Sequence, residues 1–483
     1  MHRCLKIDEL LSTIAEFLDD PQSIVAMALT CKAFHEPAMD AKWREVRGFK
    51  HLLPLLPREC AAKILVCDTR RLCAWLSPSC SYRPQAPSTE CAATADDWTR
   101  FDYYARRIRT LHWTTRPLTL VSAVGGLLDA MHKGYGDRPA FPNLRNFYCH
   151  SVSPAWRPEH WSLFVQPRLR SLSVSECCWI PLERRVDRLK LLQQVRSAAP
   201  SLQELIIDLV EVDQDTIEVM AKMQHLRKLI LQTHFSPMSR ESNVSGAMFP
   251  ALQHLEISVL DGDTFNVPVV DGCSAASSLL RIISSRSIKI MSISYNGVGI
   301  NETSLRALLH AVAKFSSSLA TCSLQIDGSS WEELHPTASF SALLQPLLAL
   351  GSSLIDLDLT AFPLDILTHD LYALLRACSN LLSLELSQTV PSGTTRSNLT
   401  LSALKVAREL CPRLEYLSLP IADTSVVPQD EEDVPSDEDL KIAPPSTHAL
   451  KTFMFGYMED SVSPANAAIL FAKKCFPEAK IYR

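Results

Sequence analysis

Two different hydrophobic periods run along this chain. Over roughly residues 4 to 47 the apolar side chains recur at helical spacing. Leu10, Leu11, Ile14, Phe17 and Leu18 make one apolar stripe on a first helix. Asp19, Asp20 and Pro21 stop that helix and start a second, with Asp20 as its cap and Pro21 in its first position. The second helix carries Ile24, Val25, Ala28 and Leu29, and Pro37 restarts the chain into a third bearing Trp43. From about residue 105 the period changes to Leu-x-x-Leu-x-Leu. The clearest copies begin at Leu202, Leu226, Leu252, Leu354, Leu381 and Leu414, and looser ones at Ile108, Leu144, Leu169, Ile288, Leu319 and Leu450. The step between copies is uneven, 24 residues from Leu202 to Leu226 and 36 from Leu414 to Leu450.

Each copy has a simple physical reading. Alternating leucines make a short strand with one face turned inward. Amphipathic stretches between copies, such as Glu183 to Ala199, Glu302 to Phe315 and Asn398 to Leu410, read as helices that cover the core. One strand and one helix cannot close a core, so the units must stack. The expected fold is therefore α/β: three N-terminal helices, then a curved parallel sheet with outer helices. Cys378 and Cys411 each precede a leading leucine by three residues, which favours packing over reactivity. The end, from Cys475 to Ile481, reads as a truncated last repeat.

Three segments fit neither period. Residues 48–75 read as a helical connector broken at Pro54 and Pro57, and residues 76–97, rich in Ser, Pro, Ala and Thr, as a flexible linker. An acidic insertion over about 424–446 includes Asp430, Glu431, Glu432, Asp433 and Asp437 to Asp439. Ser436 stands before three acids there and is a candidate for acidophilic phosphorylation, against the plainer reading of a solvated loop. The domains expected are thus 1–50, a connector over 51–104, and a repeat domain over 105–483.

Composition narrows the function classes. The 483 residues are 47% hydrophobic, enough for a large core, and the net charge of -5 argues against a general nucleic-acid binder. No apolar run reaches the roughly 18 residues of a membrane span, and the start lacks the apolar core of a signal peptide. The 15 cysteines show no Cys-x-x-Cys pair, so neither a disulfide framework nor a metal site is expected. A reducing compartment, cytoplasmic or nuclear, follows. Phosphate-loop, zinc-protease and nucleophile-elbow motifs are missing, and Gly297 and Gly299 lack the third glycine of a dinucleotide loop. No enzyme activity and no cofactor are expected.

A segment as small as the first buries only about 60% of its unfolded surface by itself. Its density of large apolar residues therefore points to a helical docking module. Ile7 to Leu11, Ile14, Phe17, Leu18, the run Ala28 to Lys32, Phe34 and Trp43 resemble an F-box, the motif that docks substrate receptors onto Skp–cullin–F-box ubiquitin ligases. Lys6 and Ile7 stand where that family usually has Leu-Pro. The rest of the chain resembles irregular leucine-rich repeats. The order, F-box first and repeats after, is more specific than either half.

The resemblance implies a non-catalytic substrate receptor, in which the helices bind the Skp adaptor and cullin core and the repeats recruit an unknown substrate protein. Expected adaptor-binding residues are Ile7, Leu10, Leu11, Ile14, Leu18, Leu29, Cys31, Phe34 and Trp43; the alternative for each is a place in the internal core. Strand geometry points the positions between the leucines away from the core. Glu204, Asp208, Lys228, His254, Glu256, Asp356, Asp358 and Glu385 are the expected substrate face, mostly acidic and suited to a basic or hydrogen-bonding segment. Two other classes stay open: a leucine-rich-repeat scaffold not coupled to ubiquitination, and an enzyme with dispersed catalytic residues.

Overall fold

A computed structural model describes residues 7–58, 60–61, 95–114, 121–136, 138–150, 156–175, 185–235, 248–259, 272–296, 302–327, 340–360, 366–386, 399–423, 449–455 and 466–482. Most of the expected linker, the whole acidic insertion and Ser436 lie outside these residues. The chain divides into two compact units, Met1–Val210 with Asp215–Leu226, and Glu211–Gln214 with Arg227–Arg483.

The first unit opens with three helices, α1 (Asp8–Glu16), α2 (Pro21–Thr30) and α3 (Lys32–Trp43). Asp20 caps α2 through its carboxylate, which accepts from the Ser23 backbone N–H and hydroxyl at 2.8 Å. Leu11 and Ala15 are buried, and Ile24, Ala28 and Ala38 form a small core with Leu18 and Met27 packed against it. Pro37 does not start the third helix as its ring geometry predicts. It lies inside α3, six positions after Cys31, the extended residue that separates α2 from α3. Burial of Pro37 against the helical core offsets the lost backbone hydrogen bond.

Strands then alternate with helices: β1 (Glu45–Arg47), α4 (Thr99–Ala105), β2 (Thr110–Trp113), α5 (Val121–Tyr135), β3 (Asn146–Cys149), β4 (Ser171–Ser175), α6 (Arg185–Ala198), β5 (Glu204–Val212) and α7 (Gln214–Ala221). The β1 to β5 pairings are parallel, and Val46, Leu111, Phe147, Leu172 and Leu205 stack in one inward row. Beneath it Phe141, Phe147, Phe164, Trp113 and Trp156 stack or meet edge to face. Ala95–Trp98, at the end of the expected linker, forms a short 3-10 turn leading into α4.

The second unit repeats the scheme with β6 (Lys228–Phe235), β7 (His254–Val259), α8 (Gly272–Ile282), β8 (Ile290–Asn296), α9 (Glu302–Ala313), β9 (Thr321–Asp327), α10 (Phe340–Leu348), β10 (Asp356–Asp358), α11 (Thr368–Ala377) and β11 (Ser383–Glu385). It continues with β12 (Leu399–Thr400), α12 (Ser402–Leu410), β13 (Tyr416–Leu419), β14 (Ile421–Asp423), β15 (Thr452–Phe455), α13 (Asn466–Cys475) and β16 (Lys480–Tyr482). Apart from the small β12–β14 pair, the strands of this unit pair in parallel from β6 to β16. Leu229, Leu255, Met291, Cys322, Leu357, Leu384, Leu417, Phe453 and Ile481 occupy equivalent register positions along it. Each large side chain buried there removes about 1.5–3 kcal/mol of apolar exposure. Cys322 fills a leucine position in this row as a small hydrophobe. Gly272 opens α8 where a Cβ would lie 2.2 Å from the Tyr295 ring of β8, so only glycine admits that approach.

Both units are α/β with parallel strands and covering helices. In each of the twelve sequence copies the strand begins two residues after the leading apolar side chain, as at Leu202 and Glu204 or Leu450 and Thr452. The terminal fragment also delivers its strand, β16, paired to β15. One expectation is corrected. Cys60 is disulfide-bonded, whereas the scattered spacing implied free thiols throughout. Spacing along a chain does not report which thiols a fold brings within bonding reach.

Candidate functional site

The helical module is tied to the first repeats by polar and aromatic contacts. Arg107, which follows α4, is buried and reaches the α3 carboxylates, contacting Glu36 and lying 2.8 Å from an Asp40 oxygen. Its guanidinium centre sits 3.9 Å above the Tyr103 ring, and the Tyr103 hydroxyl donates to Glu36 at 2.6 Å. That hydrogen bond, together with the Arg107 charge, holds the Glu36 carboxyl below its ordinary range. Trp43 packs on Tyr104 with ring centres 4.7 Å apart, and Arg44 pairs with Glu16 of α1.

With α3 held this way, the other face of α1 is left open. Ile7, Leu10, Ile14 and Phe17 are 44%, 43%, 45% and 80% exposed, and Leu29 of α2 is 80% exposed. The first four fall at successive intervals of three or four residues, one side of a helix. The sequence stripe thus splits in two. Leu11 is fully buried and belongs to the internal core, Leu18, Cys31, Phe34 and Trp43 are partly buried, and Ile7, Leu10, Ile14 and Leu29 face solvent. α1 has no side-chain cap at Ile7, so its start rests on backbone bonds and packing.

The positions between the leucines are half-buried on the outward side of the strands. In the first unit Glu204 accepts from the Ser171 hydroxyl at 2.7 Å, and burial raises the Asp208 carboxyl. In the second unit Lys228 and His254 are register partners, as are Asp358 and Glu385. His254 lies 3.9 Å from Glu256. Asp358 is a hub that accepts from Ser323 at 2.8 Å, Gln325 at 2.9 Å and the Thr360 N–H at 3.0 Å. Thr321 donates to Asp356 at 3.1 Å. Burial, and then the neighbouring Asp358 charge, raise the Glu385 carboxyl. Burial and the same two carboxylates raise the Tyr416 phenol on the next strand. Asp356, Asp358 and Glu385 therefore form one acidic group, while Lys228, His254 and Glu256 lie on strands β6 and β7.

Two features of the first unit escape a reading of leucine spacing. On the outward side His112 stacks on Tyr148 at 4.6 Å, with His150 6.1 Å from His112, and burial lowers the His112 pKa. At the strand entrances, Arg44, Arg109, Arg145 and Arg170 occupy the same place, just before β1, β2, β3 and β4. Their backbones form a continuous ladder, with the Arg109 N–H donating to Arg44, that of Arg145 to Arg109 and that of Arg170 to Arg145 at 2.7–2.9 Å. Beside this ladder is a recess of about 400 Å³ lined by Glu36, Asp40, Asn143 and five arginines. The signal was available in the sequence: the residue after the leading apolar position is arginine in each of the first four strands.

Several thiols and one imidazole are deeply buried. Cys322 and Cys411 are pushed up to about 12 and Cys378 to about 11, by burial above all. His160 is fully buried. Its Nδ1 accepts from the Arg157 N–H at 3.1 Å, so Nε2 carries the proton shared with Asp129 at 2.9 Å. Among the described residues no three His, Cys, Asp or Glu side chains are placed to hold a metal, and no helix is long and apolar enough to cross a membrane. Searches against protein-family models and against curated proteins find no match for this chain.

Proposed function

We propose that this chain is a substrate receptor of a Skp–cullin–F-box ubiquitin ligase. The N-terminal helices dock the Skp adaptor, and the outward strand residues bind a substrate protein. The reading rests on the F-box resemblance and on one observation: Ile7, Leu10, Ile14, Phe17 and Leu29 stay exposed on helices that already have a core. Large apolar side chains left exposed in this number on two short helices point to an interaction surface. Leu11, Leu18 and Trp43 support it from beneath by fixing the helices. On the repeats, Asp356, Asp358 and Glu385 suit a basic or hydrogen-bonding substrate segment. Ubiquitin transfer belongs to other subunits, and this chain's contribution is to raise the effective concentration of substrate lysines.

Co-expression with the Skp adaptor tests the proposal. A soluble wild-type complex is expected, lost in Leu10→Asp and Ile14→Asp variants whose repeats stay folded. A folded chain that never co-purifies with the adaptor would remove the ligase reading and leave a repeat scaffold with another partner. Charge reversal at Asp356, Asp358 and Glu385 that changed no bound partner would remove the substrate face.

A further inference from the structure

The arginine recess of the first unit is assigned neither to adaptor docking nor to substrate binding. We propose that it binds a compact anion carrying two or more phosphoryl groups, with Arg109, Arg145 and Arg168 as direct ligands. Charge is the first argument. Five arginines line the recess against two carboxylates, a surplus of three positive charges in a chain whose net charge is -5. Both carboxylates are already engaged, since Arg107 contacts Glu36 and Asp40 and Tyr103 donates to Glu36. Among the described residues no carboxylate pairs with Arg106, Arg109, Arg145 or Arg168. Arg168 instead donates to the Asn143 side-chain oxygen, which sets its guanidinium at the rim.

Geometry is the second argument. The backbone ladder holds Arg109 and Arg145 on adjacent strands, roughly 4.8 Å apart in the hydrogen-bonding direction. Like charges held side by side are unfavourable unless an anion answers them. Burial, and then the surrounding arginines Arg109, Arg170, Arg44 and Arg168, lower the Arg145 pKa, the sign expected of a positively charged cluster. Guanidinium forks match phosphoryl oxygens in pairs. Two phosphoryl groups at about -1.5 to -2 each balance the surplus, which a single carboxylate does not. The recess, about 400 Å³, falls in the range of small-molecule pockets. A duplex or a membrane would need an extended surface instead. The inference holds whether or not the helices dock a ligase adaptor.

The test is titration calorimetry of the full chain at low salt with inorganic pyrophosphate and tripolyphosphate. Saturable binding is expected, tighter than for inorganic phosphate and weakening as ionic strength rises. Arg109→Ala and Arg145→Ala should each weaken it about tenfold or more, through loss of charge-assisted hydrogen bonds. Lys473→Ala, on α13, should leave it unchanged, and thermal melts establish that every variant is folded. No binding of either probe, or equal binding by folded Arg109→Ala and Arg145→Ala, overturns the proposal. Tighter binding of a singly phosphorylated peptide or an oligonucleotide through the same arginines would also overturn it, since the ligand would then be a macromolecule.

Discussion

Leu11 lies on α1 and Phe17 is the residue that caps its C-terminal end, and truncating each to alanine should have opposite consequences. Phe17 is 80% exposed, so folding has removed only about a fifth of it from water. Full burial of such a side chain is worth about 1.5–3 kcal/mol. Folding therefore draws about 0.3–0.6 kcal/mol from Phe17, and a partner that covers the remainder gains about 1.2–2.4 kcal/mol. Phe17→Ala should leave the melting temperature almost unmoved and weaken Skp-adaptor binding roughly 8- to 60-fold. Leu11 is fully buried, and Leu11→Ala should cost about 2–5 kcal/mol of stability in the helical module. Chemical denaturation of the two variants gives the stabilities, and calorimetry against the purified adaptor gives the affinities. Adaptor affinity unchanged in a folded Phe17→Ala variant would refute the docking face. Equal destabilisation by both variants would refute the division of the stripe into a core side and a partner side.

Three further outcomes follow from the geometry. Arg107→Ala removes a buried guanidinium that holds α3 to the turn after α4; because Glu36 and Asp40 are more than half exposed, screening limits the loss to about 1–3 kcal/mol, measured by denaturation, and no loss would mean the Trp43–Tyr104 contact suffices. Burial lowers the His160 pKa below its ordinary 6.5, so the unfolded chain takes up the proton first and stability falls as pH drops through about 6.5; melting curves from neutral to mildly acid pH should show that slope in the wild type and less of it in His160→Gln. Cys322, Cys378 and Cys411, raised to about 11–12, should resist alkylation at mildly alkaline pH until the protein unfolds, and rapid labelling of any of them in the native state, read by mass spectrometry, would contradict their place in the core.

The sequence by itself determined the repeat. A leading leucine, a gap of two and a further alternating pair specify which side chains point inward, because a strand has a period of two, and every copy became a strand. The helices were less legible. α8, from Gly272 to Ile282, is made largely of Gly, Ser, Ala and Cys, and becomes a helix because small residues let it approach Tyr295 and the sheet. Pro37 read as a start and sits inside α3, because tertiary packing outweighs one backbone hydrogen bond.

For the candidate sites the division is similar. Spacing placed Glu385 and Asp358 on outward strand positions, but only parallel pairing set them side by side and coupled their charges. It placed Leu10, Leu11 and Ile14 on one helix, but only the packing of α1 against the other helices decided that Leu11 is covered and Leu10 and Ile14 are open. The arginine recess depends most on the fold. Arg109, Arg145 and Arg168 are widely separated along the chain, and they converge because each repeat returns the backbone to the same place, Arg109 and Arg145 at strand entrances and Arg168 two residues before the entrance residue Arg170. Local sequence determines which residue stands at that entrance; the stacking of repeats decides which charges share one recess.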